Sequence, residues 1–224
     1  LLKVKEKHPS LSEKIGKILN RIKPEEPSAP RTQAVSRSAP SSSGSKWDCA
    51  WKECPDYVSD LIKKYSIDEK NLRVAMKIYG GRCTITGNTP LPLNKVTSWN
   101  IKILKAKYND GDGIFIGVAP SDIDQNDGYN CRKCGWYFSC CSSMLCSGPP
   151  HNYNLKEYGP RKEYGKYVHT GDSVGVVMDT AKGELSFVLD GVNLGIAYEG
   201  IPLDKPLVPC VILWNERDSV ELII

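Results

Sequence analysis

The sequence predicts an all-β fold, a sandwich or barrel of short antiparallel strands, preceded by a short N-terminal helix and a disordered linker. Three observations carry this expectation. Short apolar or alternating runs, each bounded by Gly, Asn, Asp or Pro, recur from Arg73 to the end of the chain. Two of the last runs, Glu184–Leu189 and Val192–Tyr198, are separated only by Asp190-Gly191. Asp-Gly supplies the positive φ angles of a two-residue turn, the strongest local sign of an antiparallel hairpin. Finally, 224 residues with 40% hydrophobic and 25% charged side chains suit one large β domain with an appendage, or two small domains.

Residues 1–23 read as the helix. After Pro9, Ser10 and Glu13 make a capping box, in which each side chain takes a free backbone N–H of the other. Leu11, Ile15, Ile18 and Ile22 then form one apolar stripe, and Pro24 stops the helix. So short a helix is marginal alone in water, so it is expected to pack on something. It is either a docked terminal helix or the end of a coiled coil, and the second reading allows self-association. Residues 24–46 are rich in Pro and Ser and nearly free of large apolar groups. They bury too little surface to offset the entropy of ordering, so a flexible linker is expected. Aromatic, Cys and Val/Ile residues begin at Trp47, where the main domain, 47–224, is placed. Residues 55–64 are read as one short helix.

Strands are expected within residues 74–80, 82–87, 97–108 and 113–120, two more within Gly135–Gly148, and then at Ser173–Asp179, Glu184–Leu189, Val192–Tyr198, Pro206–Leu213 and Ser219–Ile224. Many short strands at even spacing mean a sandwich or barrel.

Gly171-Asp172-Ser173-Val174-Gly175-Val176 is followed in order by Asp179, Gly183-Glu184-Leu185-Ser186-Phe187, Asp190-Gly191, Gly195-Ile196-Ala197-Tyr198 and Pro206-Leu207-Val208-Pro209. Trp99-Asn100-Ile101-Lys102-Ile103, Ile114-Phe115-Ile116-Gly117-Val118 and Gly135-Trp136-Tyr137-Phe138 precede them. In order and spacing these pieces resemble the SPRY domain family over about residues 72–224, and more loosely over 47–71. The resemblance implies a bent sandwich that recognises peptides or protein surfaces with its loops. In the tripartite-motif and SOCS-box relatives such a domain selects the substrate of a ubiquitin ligase. It also implies a peptide site built from Gly128-Tyr129, from Trp214 five residues after Pro209, and from Arg82 in an early loop. Tyr and Trp offer large rigid area with a polar tip, which suits interface hot spots. Trp214 is equally readable as core. The loops expected to form the surface are Thr86–Lys95, Tyr108–Gly113, Ser121–Asn130, Pro149–Tyr167 and Asn215–Asp218.

Other functions find less support. Residues 1–46 hold ten Lys/Arg against four Asp/Glu, and residues 47–224 hold twenty against twenty-two. The main domain is thus mildly acidic, and no nucleic-acid partner is expected. No apolar run reaches the length of a membrane span, and the charged start has no signal-peptide core. A start at Leu1 is expected of a fragment or processed piece. Nine cysteines, an odd number without a secretion signal, suggest reduced thiols in the cytoplasm. Cys131 and Cys134 form a C-x-x-C, but zinc needs a second pair in register, so no metal or cofactor is expected and the thiols are read as small buried hydrophobes. Asp122–Gly128 starts like a calcium loop, yet Asp127 and Lys133 stand where that loop needs Gly and Glu. His8, His151 and His169 are scattered and no nucleophile motif occurs, so no enzyme activity is expected. A carbohydrate-binding, lectin-like sandwich is the alternative function, since such folds also use aromatics with Asp/Asn loops.

Overall fold

A computed structural model describes residues 47–53, 63–107, 113–125, 134–146 and 164–224. The N-terminal helix, the linker and nearly all of the short helix expected over 55–64 lie outside the described residues.

Twelve strands are described: β1 (Tyr65–Ile67), β2 (Val74–Lys77), β3 (Cys83–Thr86), β4 (Val96–Lys105), β5 (Phe115–Pro120), β6 (Trp136–Ser139), β7 (Met144–Cys146), β8 (Ser173–Asp179), β9 (Glu184–Leu189), β10 (Val192–Tyr198), β11 (Leu207–Leu213) and β12 (Ser219–Ile223). They form an antiparallel two-sheet sandwich. One sheet has the order β1-β2-β12-β4-β8-β9-β10 and the other β3-β11-β5-β6-β7. The expected strands are all present, slightly shortened at some ends. Strand β1 was not foreseen: three residues are too few to show a period. The Asp190-Gly191 turn has φ of 51° and 76°, the paired positive angles that its sequence requires.

The core lies between the sheets. Side chains alternate across a strand, so Trp99, Ile101 and Ile103 of β4 point inward with Val174, Val176 and Met178 of β8 and Leu185, Phe187 and Leu189 of β9. Ile85, Ile116, Phe138 and Val211 meet them from the other sheet. Phe187 has Phe138 at 5.6 Å and Tyr164 at 5.9 Å between ring centroids. Tyr164 therefore belongs to the core packing and not to a free loop surface. The five-stranded sheet is buried on its second face as well, where Phe115, Ala119, Tyr137, Cys210 and Ile212 cluster. This explains why β11 reads as a continuous apolar run, every residue of it buried. Its Pro209 lacks an N–H, but pairing with β3 begins only at Cys210, and the Pro209 carbonyl accepts the Gly87 N–H at 2.8 Å.

Five of the described cysteines, Cys49, Cys83, Cys140, Cys141 and Cys210, are buried as expected, whereas Cys134 is exposed and Cys146 intermediate. Burial pushes the Cys140 thiol well above its ordinary pKa and raises that of Cys49. The thiolate is the reactive form. Brief treatment with a maleimide at neutral pH should therefore modify Cys134 before the other described cysteines and leave Cys49 and Cys140 intact until the protein is denatured. Peptide mapping by mass spectrometry reads this directly, and early modification of Cys140 would contradict the packing.

Candidate peptide-binding site

The register of β3 against β11 builds the centre of the site. Leu213 pairs with Cys83, so the residues one step further, Trp214 and Arg82, face each other at the strand ends. The Arg82 guanidinium carbon lies 3.3 Å from the centroid of the Trp214 ring. Both side chains are partly exposed. A planar, weakly hydrated guanidinium stacked on an indole makes a rigid platform with little rotamer freedom left to lose on binding. Trp214 is thus at a strand end beside the loops and not in the core.

A cleft of about 630 Å³ opens beside this platform, bordered by Gly80, Lys105, Lys107, Trp214, Glu216 and Arg217 among others. Its wall is a tight turn, Asn215–Asp218, in which Arg217 adopts φ of 68°. Asp218 holds the turn together. Its Oδ2 accepts the Asn215 N–H at 2.9 Å, and its Oδ1 accepts the Lys107 N–H at 3.0 Å. Asn215 Nδ2 in turn donates to the Lys107 carbonyl at 2.7 Å. These bonds tie the exit of β4 to the loop between β11 and β12.

A second tie comes from β2. The Lys77 N–H donates to the Asp218 carbonyl at 2.9 Å, and the Arg217 N–H donates to the Lys77 carbonyl at 2.9 Å. The Lys77 side chain is fully buried, and its Nζ donates to the carbonyl of Tyr79 in the turn leading to Arg82. Burial pulls the Lys77 ammonium below its ordinary pKa and pushes the Asp218 carboxyl above its own; the hydrogen bonds to Asp218 and the charge of Lys77 oppose that rise. Sequence reasoning passed over both residues. Asp218 was placed in an exposed loop, and Lys77 in an ordinary strand, because nothing local in the sequence marks a charge that folding buries.

The structure brings Arg82 and Trp214 together. Gly128 and Tyr129 lie outside the described residues. The loop that carries them leaves β5 at Pro120, which pairs with Leu207 at the start of β11, whereas Trp214 follows the end of that strand. The described parts of the expected surface loops fall at both ends of β11. Gly87 and Leu91 donate to Pro209 and Leu207, and Ser121 donates to Pro206, so Thr86–Lys95 and the start of Ser121–Asn130 lie near its beginning. Asn215–Asp218 lies past its end. Seven residues of strand separate the two groups by roughly 20 Å. Of the expected loop surface, the described parts thus lie in two groups, with Arg82 and Trp214 beside Asn215–Asp218.

His169 is exposed before the turn into β8, where its N–H donates to Asp172 Oδ2 at 2.9 Å. Among the described residues there is no group of three or more His, Cys, Asp or Glu side chains placed to hold a metal ion. No described helix is long and apolar enough to cross a membrane.

The chain is similar to proteins of one kind. It is 24% identical over 177 residues to the SPRY domain-containing SOCS box protein 3 of Xenopus laevis, and to that of Xenopus tropicalis, covering 79% of this chain. It spans about half, 46%, of the length of those relatives. Among solved structures, the SPRY domain of human HERC1 matches with a TM-score of 0.51 at 19% identity, over 71% of this chain and 94% of that one. The PSpry domain of TRIM65 matches with a TM-score of 0.53 at 10% identity, over 80% and 93%. At such identities the solved structures speak for the fold alone. The SPRY domain family model matches residues 96–223, more than half of the 224 residues. From the strand order, the motif series and that match together, the chain belongs to the SPRY domain family.

Proposed function

We propose that this chain is a protein-interaction module that recognises a peptide or protein surface through the Arg82–Trp214 platform, and that it serves as the substrate-receptor part of a ubiquitin ligase. The observation that carries the binding site is the guanidinium stacked on the indole at the mouth of an open cleft. Aromatic and arginine side chains held rigid at such a place are the usual anchors of an interface. The ligase role draws on the SOCS-box name of the curated relatives. Gly128 and Tyr129 enter the proposal through their match to the family pattern, and cytoplasmic residence through the reduced thiols. The chain acts by binding, without a catalytic step of its own.

Capture of partners from cell lysate, with the full chain as bait, tests this reading. Trp214→Ala and Arg82→Ala are expected to lose captured partners by roughly ten-fold or more, with unchanged thermal midpoints. Tyr129→Ala tests the loop residue separately. Equal capture by the wild type, Trp214→Ala and Arg82→Ala, all folded, would remove the site from the proposal. Ubiquitylation of a captured partner that does not depend on Trp214 would remove the receptor role.

A further inference from the structure

Residues 47–224 carry two more acidic than basic side chains, yet the cleft beside Trp214 runs against that balance. Lys105, Lys107 and Arg217 border it and are exposed, against the exposed Glu216. Its other carboxylate, Asp218, is buried, and both of its oxygens are occupied by the N–H groups of Lys107 and Asn215. Next to these stands the Arg82 guanidinium on its indole, while the buried Lys77 ammonium offsets the buried Asp218 and adds nothing to the balance. Cations are therefore concentrated at one place on a mildly acidic domain, around the aromatic platform.

From this we propose that the partner of the cleft is an acidic peptide segment, one that places carboxylates against Lys105, Lys107 and Arg217 and an apolar side chain against Trp214. The inference rests on the site reading above and adds the chemistry of the ligand. Electrostatic complementarity of this kind steers encounter and rejects partners of the wrong sign. A short acidic segment fits better than a nucleic acid. Three exposed cations can match a few carboxylates, whereas a polyanion would also meet the acidic remainder of the domain, and nucleic-acid binding normally needs a basic stripe across a whole face.

The test uses the full chain on an array of random 12-residue peptides covering net charges of both signs, with a single-stranded oligonucleotide as a separate probe. Wild type is expected to retain peptides enriched in Asp and Glu, and raising the salt several-fold should cut their retention by about ten-fold. The double substitution Lys105→Glu, Lys107→Glu should abolish or reverse the charge preference, because both side chains are exposed and outside the core. Retention without charge preference, a preference that survives the double substitution, or tighter binding of the oligonucleotide than of any peptide would each overturn the proposal. Trp214→Ala separates this inference from the site itself. If peptides are retained regardless of charge but lost in Trp214→Ala, the acidic partner is wrong and the site stands. If acidic peptides are still retained in Trp214→Ala, the site reading fails and the charge preference does not belong to this cleft.

Discussion

Gly117→Ala is expected to cost at least ~3 kcal/mol and to leave little native protein at moderate denaturant. Gly117 sits mid-strand in β5, opposite Cys210 on one side and Tyr137 on the other. A β-carbon added there would lie 1.8 Å from the Trp136 carbonyl oxygen, 2.9 Å from its carbon and 3.0 Å from the Tyr137 Cα. All three are backbone atoms of β6, so no rotamer change relieves the clash. The strands must part, and Phe115, Ile116, Val118 and Tyr137, all buried, lose their packing with them. A loss of that size is a large fraction of the total stability of an ordinary domain. Gly191→Ala is the control. Its φ is 76° but nothing lies within 4 Å of an added β-carbon, so only the positive φ is penalised, by about 1–2 kcal/mol. Urea titration followed by tryptophan fluorescence compares them. A Gly117→Ala midpoint no lower than that of Gly191→Ala would show that β5 and β6 are not paired this closely.

Asp218→Ala is expected to cost about 3 kcal/mol and, beyond that, to abolish partner capture. Removing the carboxylate strands the N–H groups of Asn215 and Lys107 and takes a compensating charge from the buried Lys77 ammonium. Desolvated donors and an uncompensated buried cation are among the few single-site defects with effects this large. The wall of the cleft then loses its tie to β4, and Trp214 loses the fixed turn beside it. The pH dependence has a definite sign. Burial raises the Asp218 pKa in the folded state, so the folded protein holds that proton more tightly than the unfolded chain. The part of the stability linked to this proton is therefore full below the ordinary carboxyl range and is lost as pH rises through the folded value, while the hydrogen bonds to Asn215 and Lys107 persist. Asp218→Ala should remove that segment of the stability–pH curve. Denaturation at several pH values measures both effects; a curve parallel to wild type would show that Asp218 is not desolvated, and a wild-type midpoint that its hydrogen bonds contribute nothing.

Much of the fold was legible because it depends on short-range physics. The strands from β4 onward follow from runs of alternating or continuous apolar residues, and the Asp190-Gly191 turn from backbone sterics alone. The continuous run of β11 was read correctly as strand, although nothing in it told that both of its faces would be covered. The site was half legible. Trp214 and Arg82 were singled out by resemblance, but their stacking depends on the β3–β11 register, a contact between distant parts of the chain. Loops equally polar in sequence turned out to lie at opposite ends of the same strand, since the direction of each strand is set by its partners.

By itself, then, the sequence determined an all-β domain of the SPRY family and the position of most strands, because side-chain period, turn sterics and motif order are properties of neighbouring residues. Only the tertiary structure decided that Arg82 lies on Trp214, that Asp218 and Lys77 are buried beneath the cleft, and that the exposed charges around it are mostly cationic. Desolvation and charge pairing depend on which residues folding brings together, and that is fixed by strand pairing across the whole chain and not by any local stretch of it.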